Sequence, residues 1–297
     1  MASNNMMKQV EEAHGRERVA DLLLKHIDSI EALRTLVGVS EHYEPSRHDD
    51  LWLLRFVLTH VGRSGGLKAA AKAALATLAF RKAHDLDAEN FATKPEVLDV
   101  MRRFYAHASP GAVTYYAPDA DRGVMIVGLL RAVDFHKIAN DVTAEETLVW
   151  GRVSAEWVFR QCDEVTRRTG YLTKYARIVD MKGWGFSQLN RAFQKRQRES
   201  SKELEDFYPQ MLGAVFLCHP PGWIQAVWRV WRNLMPPRFV EKIDIVSPKT
   251  NADERRRLVR FCAAESLPSL FGGPNEQWPL PQARGDAPPV SASNNAV

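Results

Sequence analysis

The feature that most constrains the fold is an alternation of short apolar segments and helical segments in the second half of the chain. Patterns typical of buried strands occur at ARIVD (176–180), GAVFLCH (213–219) and KIDIVS (242–247). A basic segment (187–201) and a Trp-rich segment (222–234) lie between them, both with helical spacing. Parallel neighbouring strands require a crossover connection, which is usually a helix. The pattern therefore predicts an α/β fold with a mainly parallel sheet.

The sequence before these strands predicts a hairpin and a long helix. From about Thr114, the runs VTYYA and VMIVGLL are separated by PDADRG, whose residues favour a turn. Thr143 is followed three residues later by Glu146, a capping-box pattern, and the helix that it opens continues to about Arg168. A short helix over 252–262 is expected to follow the last strand.

The first part of the chain shows helical periodicity alone. Residues 7–36 place apolar side chains at spacings of three and four, which indicates an amphipathic helix. The segment 49–60, DDLWLLRFVLTH, begins with Asp49 and Asp50, and either carboxylate can cap a helix. An Ala-rich run over 67–82 has high intrinsic helix propensity. An all-helical N-terminal region follows from these three patterns.

These patterns divide the chain into three parts. We expect a helical lobe over residues 1–95, an α/β domain over 96–275 and a disordered tail over 276–297. The tail contains QARGDAPPVSASNNAV, which has almost no apolar surface to bury. No repeat of about 20 to 50 residues is present, so solenoids and propellers are excluded.

Composition and charge exclude several further classes. The 297 residues are 45% hydrophobic, which is ample for a core, and the net charge of +4 is spread too diffusely to predict nucleic-acid binding. Three scattered cysteines without a CxxC pattern predict neither a disulfide framework nor a structural zinc site. The first residues are polar, and no run of ~18 apolar residues is available to span a bilayer. We therefore expect a cytosolic protein.

The motifs of common enzymes are missing from the sequence. There is no GxSxG, no Gly-rich loop ending in Gly-Lys-Ser/Thr and no GxGxxG. The GWG at 183–185 follows a strand but lacks the third glycine of a dinucleotide loop. His136 and His219 have no candidate nucleophile nearby in sequence, so an ordinary structural role is favoured for each. We expect no enzymatic activity.

The most unusual segment is PPGWIQAVWRVWRNLMPP, residues 220–237. Its apolar side chains recur at helical spacing along one face and its flank, and they include Trp223, Val227, Trp228, Val230, Trp231 and Leu234. Too much of this helix is apolar for a plain surface helix, and it is too short to cross a membrane. Two interpretations remain open: a helix buried against the sheet, or a movable wall between an apolar cavity and a membrane.

Taken together, the segments resemble the CRAL-TRIO family of lipid-binding and lipid-transfer proteins, including the fungal-type phosphatidylinositol/phosphatidylcholine transfer proteins. The matching pieces are DDLWLLRF (49–56), RFYAHASPG (103–111), VTAEETLVW (142–150), GYLTKYARIVDMKGWGFS (170–187), DFYPQMLGAVFLCHPPGW (206–223), FVEKIDIV (239–246) and LPSLFGG (267–273). Single pieces are weak, whereas their order and spacing over residues 49–273 are specific.

The resemblance implies a helical lobe packed on a sheet that floors a hydrophobic pocket. The Trp-rich helix matches the family's gate, and its implied gate residues are Trp223, Val227, Trp228, Trp231 and Leu234. The implied function is that of a monomeric, cytoplasmic carrier of a phospholipid or other hydrophobic small molecule, exchanged during transient, peripheral membrane contact. The alternative is a regulatory module that presents bound lipid to a partner enzyme.

The resemblance also points to headgroup residues, most of which differ here. Two hydroxyl positions before the family's Asp-Leu-Lys-Gly hold Tyr175 and Arg177, the Glu of Tyr-Pro-Glu is Gln210, and a Thr before the next strand is Phe239; Lys242 matches. An inositol phosphate needs several converging donors. We therefore expect a ligand other than phosphatidylinositol, with Lys242 and Arg177 able to hold an anionic group.

Tyr175 has further interpretations. Its ring can line the pocket, or its phenolate can ligate iron in a haem-binding variant of the same fold. A structural position at an edge of the sheet is favoured over both. No other cofactor and no metal site are expected.

Overall fold

The computed structural model describes residues 15–62, 65–117, 121–232, 240–247 and 250–277. The described helices are α1 (Val19–Lys25), α2 (Ile27–Val37), α3 (Asp50–His60), α4 (Gly66–Ala83), α5 (Pro95–Tyr105), α6 (Phe135–Asp141), α7 (Ala144–Thr169), α8 (Arg191–Phe207), α9 (Ile224–Trp231) and α10 (Ala252–Leu258). The described strands are β1 (Val113–Tyr116), β2 (Met125–Leu129), β3 (Tyr175–Asp180), β4 (Leu212–Cys218) and β5 (Ile243–Val246).

The first four helices form a lobe with its own core. Leu33, Leu53 and Leu54 are fully buried where α2, α3 and α4 meet. Asp49 caps α3 by accepting a hydrogen bond from the backbone N–H of Trp52 at 3.1 Å, as its position in the sequence predicted. The single helix predicted over 7–36 is instead α1 and α2, which are separated at His26; residues 1–14 lie outside the described part.

Two helices, α5 and α6, were not predicted. Helix α5 begins with Pro95 at its first position, where the missing N–H of proline costs no hydrogen bond, and it buries Val97, Met101 and Phe104. Helix α6 is capped by Asp134, whose carboxylate accepts from the backbone N–H of Lys137 at 3.1 Å. Both helices lie beyond the predicted boundary at residue 95, so helical structure continues into the α/β part.

The sheet has the predicted architecture. Its strand order is β1-β2-β3-β4-β5; the first pair is antiparallel and the other three pairs are parallel. The predicted hairpin is therefore β1 and β2, and the predicted capping box opens α7 with reciprocal hydrogen bonds between Thr143 and Glu146 at 2.8 and 3.2 Å. The helices predicted over 187–201 and 252–262 are α8 and α10, with shifted ends.

One side of the sheet, called here the closed face, is covered by the C-terminal part of the chain. Its central residues on β1 to β4 are at most 2% exposed: Thr114, Val127, Ile178 and Phe216. Val127, Ile178 and Phe216 lie in one core with apolar side chains that follow β5, among them Leu258, Cys262, Leu267 and Phe271. This face supplies continuous, dry apolar packing.

Buried ion pairs join the helical lobe to α7. Arg81 of α4 donates to the Glu156 carboxylate of α7 at 2.7 Å, and the Tyr208 hydroxyl donates to the same carboxylate at 2.6 Å. Arg55 of α3, only 1% exposed, pairs with Asp163 of α7 at 3.3 Å. These contacts fix the long helix α7 against the lobe, so that it forms a rigid wall beside the sheet.

Candidate ligand-binding site

The opposite side of the sheet, called here the open face, is not covered in the same way. One residue from each strand forms a row across it in register: Val113, Gly128, Val179, Leu217 and Ile245. All five are partly exposed although they lie within the sheet. A Cβ atom added to Gly128 would meet no atom within 4 Å. From this partly exposed apolar row and the space above Gly128 we infer that the open face floors a cavity able to receive an apolar ligand.

A second row on the open face carries a charge. It consists of Tyr115, Ile126, Arg177, Val215 and Ile243. Tyr115, Ile126 and Val215 are at most 8% exposed, whereas Arg177 in the central strand is partly exposed. Arg177 makes no hydrogen bond and no ion pair with any residue of the described part. The floor of the cavity therefore presents an unpaired guanidinium group among apolar side chains.

Tyr175 lies beside Arg177 on the same face, because side chains two residues apart on a strand point the same way. Its hydroxyl has no hydrogen-bond partner in the described segments either. Burial raises the pKa of the Tyr175 phenol, and the positive charge of Arg177 opposes part of that rise. The neutral phenol is a ready hydrogen-bond donor, and haem ligation by Tyr175 stays a prediction.

A closed network of hydroxyl groups borders this end of the cavity. Trp150 donates from its indole N–H to the Tyr105 hydroxyl at 3.0 Å, which lies 3.1 Å from the Tyr115 hydroxyl. The Tyr115 hydroxyl in turn lies 2.6 Å from Ser154 Oγ, which donates to the Trp150 carbonyl at 2.9 Å. Burial raises the pKa of both tyrosines, and Arg177 opposes the rise in each. Arg177 is therefore close to this network.

The structure separates the remaining predicted headgroup residues from Arg177. The carbonyl of Lys242 accepts from the backbone N–H of Val215 at 2.7 Å just before β5, and strand alternation places its side chain on the side opposite Ile243 and Arg177. Burial lowers the pKa of Lys174, and the charge of Lys242 lowers it further, so these two lysines are neighbours. By this alternation Lys242 and Arg177 lie on opposite sides of the sheet, and a joint role of the two in holding an anionic group stays a prediction.

Gln210 and Phe239 are the two remaining residues of the predicted headgroup set. The side-chain amide of Gln210 donates to Thr59 Oγ1 at 3.2 Å, so it ties the turn before β4 to the helical lobe. Its backbone has a φ of 62°, in the left-handed region that non-glycine residues rarely adopt. Phe239 lies outside the described residues. Of the predicted headgroup set, the structure brings Tyr175 and Arg177 together on the open face.

The predicted gate segment follows β4 as helix α9. Ile224 at its start is 3% exposed, and Trp228 is partly exposed. The predicted helix covered 222–234, and the described helix covers Ile224–Trp231. Leu234 and the side chains of Val227 and Trp231 lie outside what the structure describes.

An aromatic cluster, which the sequence analysis missed, lies between the β3–α8 loop and the start of α9. The Trp223 ring stacks on Phe186 with centroids 4.1 Å apart and lies 5.4 Å from Trp184. Phe186 is 57% exposed. Neither 181–191 nor 220–232 contains an acidic residue, whereas both contain cations. The GWGF sequence was the available signal, because exposed aromatic side chains in a loop are unusual.

The turn into α9 is held by a polar pair. His219 Nδ1 lies 2.7 Å from Asp180 Oδ1, and Asp180 is fully buried at the end of β3. The φ of His219 is 50°, so its backbone is strained for a non-glycine residue. The pair links the ends of β3 and β4, and His219 Nε2 and Asp180 Oδ2 are buried without a hydrogen-bond partner among the described residues. No group of three His, Cys, Asp or Glu side chains suited to a metal occurs in the described residues.

These features define an α/β protein whose sheet has one sealed face and one face with a partly exposed apolar row. Residues 109–273, more than half of the chain, match the CRAL/TRIO domain model. The chain belongs to this family, as the order of its segments indicated. Among the helices that the structure describes, none has the length and apolar character needed to cross a membrane.

Curated relatives extend the comparison. The chain is similar to the SEC14 cytosolic factors of Kluyveromyces lactis (28% identity over 54% of this chain and 53% of that protein) and Candida glabrata (26%, 60% and 59%). It is also similar to the phosphatidylinositol/phosphatidylcholine transfer protein SFH7 of Arabidopsis thaliana (22%, 82% and 43%). The matches to the two SEC14 factors thus span little more than half of their length.

A solved structure supports the fold. The crystal structure of Sfh5 superimposes with a TM-score of 0.55 at 11% identity, covering 87% of this chain and 88% of that one. At this identity the likeness concerns the fold alone. It confirms the predicted fold class, a helical lobe with a mainly parallel sheet.

Proposed function

We propose that this protein is a carrier that encloses a hydrophobic ligand against the open face and exchanges it at membranes. The observation that carries the proposal is the partly exposed apolar row with empty space above Gly128. Removing an acyl chain from water yields ~0.8 kcal/mol per CH₂ group. A chain of ~16 carbons therefore represents about 12 kcal/mol, which an apolar cavity can supply. The proposal invokes no catalytic step.

The aromatic cluster and α9 support contact with a membrane surface. The exposed Phe186 packs on Trp223, which lies next to Trp184 and just before the proposed gate helix with its partly exposed Trp228. Exposed cations on the same two segments, without acidic neighbours, complement anionic lipid headgroups. We infer a cytoplasmic monomer that binds membranes peripherally and transiently while α9 moves aside.

The proposed ligand is not phosphatidylinositol, although relatives carry that lipid in their names. The family positions that would serve an inositol phosphate hold Gln210 and Phe239, and Gln210 is engaged with Thr59. Without converging donors the ring hydroxyls would lose their water partners and gain none. Preferential extraction of phosphatidylinositol from mixed vesicles would contradict this part of the proposal.

Filling the space above Gly128 tests whether the open face holds the ligand. Gly128→Phe places a ring over the floor, and we expect it to reduce uptake of labelled lipid from vesicles by tenfold or more, on the order of the ~1.5–3 kcal/mol of a displaced apolar group. Gly128→Ala adds a single methyl group to the same empty space and is the matched control. Wild-type uptake by a folded Gly128→Phe variant would place the ligand elsewhere.

Transfer is distinguished from presentation to a partner enzyme by a second measurement. A carrier should move labelled lipid between donor and acceptor vesicles by itself, in proportion to its concentration. A presenting module should retain extracted lipid and move it slowly. Mass spectrometry and a visible absorption spectrum of the purified protein would identify the bound molecule, haem included.

A further inference from the structure

Among the described residues, each buried arginine forms an ion pair with a carboxylate. The partly exposed Arg177, in the central strand, forms none. Three arginines are at most 7% exposed, and each pairs with a carboxylate: Arg55 with Asp163 at 3.3 Å, Arg81 with Glu156 at 2.7 Å and Arg152 with Glu203 at 2.9 Å. A cation removed from water is costly unless an anion and hydrogen bonds replace its hydration. The fold supplies that anion in all three cases.

Arg177 lies in the central strand of the sheet, and the fold supplies it with no anion. Its neighbours in register are Ile126 on β2 and Val215 on β4, both apolar and at most 8% exposed. No described carboxylate pairs with its guanidinium group, and the register with Ile126 and Val215 places its side chain on the open face. The guanidinium group of Arg177 therefore lacks a counter-ion within the described residues. An anionic ligand can supply one.

The surrounding hydroxyls show which donors remain for such a ligand. Tyr105, Tyr115 and Ser154 hydrogen-bond to one another and to Trp150, so their hydroxyl groups are already engaged. The Tyr175 hydroxyl is not hydrogen-bonded within the described residues and shares the face of Arg177. A guanidinium fork with one added hydroxyl suits the oxygens of a carboxylate or a phosphate.

We propose that Arg177 and Tyr175 form a binding site, inside the cavity, for the anionic oxygen atoms of an amphiphilic ligand. The inference rests on the proposed function, because it assumes that the open face receives the acyl chain. The ligand class is an acyl chain bearing an uncovered acid group, either a free fatty acid or a phosphatidate. A choline headgroup is disfavoured, since its quaternary ammonium would share the site with a guanidinium group.

The test compares lipids that differ in charge and share an acyl chain. Vesicles of dioleoyl phosphatidylcholine would carry traces of labelled oleate, monooleoylglycerol or dioleoyl phosphatidate, and uptake by the full chain would be measured at equilibrium. We expect wild-type protein to prefer oleate, phosphatidate or both over neutral monooleoylglycerol. The stronger of the two acids identifies the source of the anionic group.

Charge-removing variants then locate that preference. Arg177→Met should weaken binding of the preferred acid by about 10- to 100-fold, as expected for a lost hydrogen-bonded ion pair, and leave monooleoylglycerol unchanged. Tyr175→Phe should weaken it by a smaller factor, and Arg177→Lys should retain part of the preference through charge alone. Arg256→Met is the matched control, because it removes an exposed arginine from α10.

Several results would contradict the inference, and one would contradict the proposed function as well. If Arg177→Met or, should that variant not fold, Arg177→Lys and Tyr175→Phe together leave the acid preference intact, the inference is wrong. An equal loss in Arg256→Met, or a preference abolished by high salt, indicates surface attraction and also overturns it. Wild-type uptake of monooleoylglycerol that equals or exceeds the uptake of both oleate and phosphatidate overturns the inference but leaves the proposed function standing. Uptake of none of the lipids contradicts the proposed function itself.

Discussion

The two faces of the sheet are made by alternate residues of the same five strands, and they differ in what lies above them. On the closed face Val127, Ile178 and Phe216 are at most 1% exposed beneath the C-terminal segment. On the open face their sequence neighbours Gly128, Val179 and Leu217 are all partly exposed. One face therefore stabilises the fold, and the other keeps apolar surface available for a ligand.

The largest effect that this comparison predicts separates two adjacent residues. Phe216→Ala opens a cavity on the closed face and should lower the free energy of unfolding by ~3–5 kcal/mol. Leu217→Ala, one position along β4 and on the open face, should cost less than about 1.5 kcal/mol in the ligand-free protein because its side chain is only partly buried. Urea unfolding of the two variants measures both values. Equal losses would mean that the open face is packed as tightly as the closed one.

The second prediction contrasts a paired arginine with an unpaired one. Arg81→Met leaves Glu156, 2% exposed, without its main counter-ion, and it should cost about 3–5 kcal/mol. Arg177→Met leaves no carboxylate without its counter-ion. It should change the free energy of unfolding of the ligand-free chain, in either direction, by about 1 kcal/mol or less. Thermal unfolding of delipidated protein would check both. A large loss for Arg177→Met would reveal a structural role for that side chain.

The positions of the strands and helices could be predicted from the sequence. The face of the sheet on which a given side chain lies could not. Strand positions, the Thr143 capping box and the Asp49 cap follow from local rules, and the structure confirms them. The face to which Lys242 belongs depends on the register between β4 and β5, and an isolated sequence does not contain that register. The expectation that Lys242 and Arg177 hold an anionic group therefore rested on local grounds, whereas the register places the two side chains on opposite sides of the sheet.

Three further features of the structure were not predicted from the sequence, each for a different reason. Helix α5 carries Val97, Met101 and Phe104 at helical spacing after Pro95, so its signal was present and was overlooked. The Arg81–Glu156 pair joins residues 75 positions apart, and no local pattern indicates it. The aromatic cluster joins loops from two different strand ends, so it depends on the parallel order of β3 and β4.

The third prediction concerns the aromatic cluster of Trp184, Phe186 and Trp223, which is proposed above as a membrane contact. Phe186→Ala should weaken binding to vesicles containing phosphatidylserine by about three- to tenfold, a fraction of the ~1.5–3 kcal/mol of a fully buried aromatic side chain. Stability should hardly change, because Phe186 is 57% exposed. Leu24→Ala removes a side chain that is 73% exposed on α1 and serves as the control. Vesicle sedimentation should separate the two; equal effects would show that the aromatic cluster is not the membrane contact.

The smallest predicted effect is a change in the titration of Tyr175. Burial raises the pKa of this phenol, and the charge of Arg177 lowers it in part, so Arg177→Met should raise the pKa further. A phenol whose pKa is higher in the folded than in the unfolded state stabilises the fold below the unfolded value, and that stability is lost as the pH rises through the folded value.

Arg177→Met should therefore lose more stability than wild type only above the ordinary tyrosine pKa of about 10, once the pH passes through the folded pKa of the wild-type phenol. Arg177 also acts on Tyr105 and Tyr115, so the double variant Arg177→Met/Tyr175→Phe isolates the part that belongs to Tyr175. Urea unfolding across this range, together with the ¹³C resonance of the Tyr175 ring, measures the shift. If the pH titration of the Tyr175 ring resonance is the same in Arg177→Met as in wild type, the guanidinium group points away from the phenol. The two side chains would then form no common site on the open face.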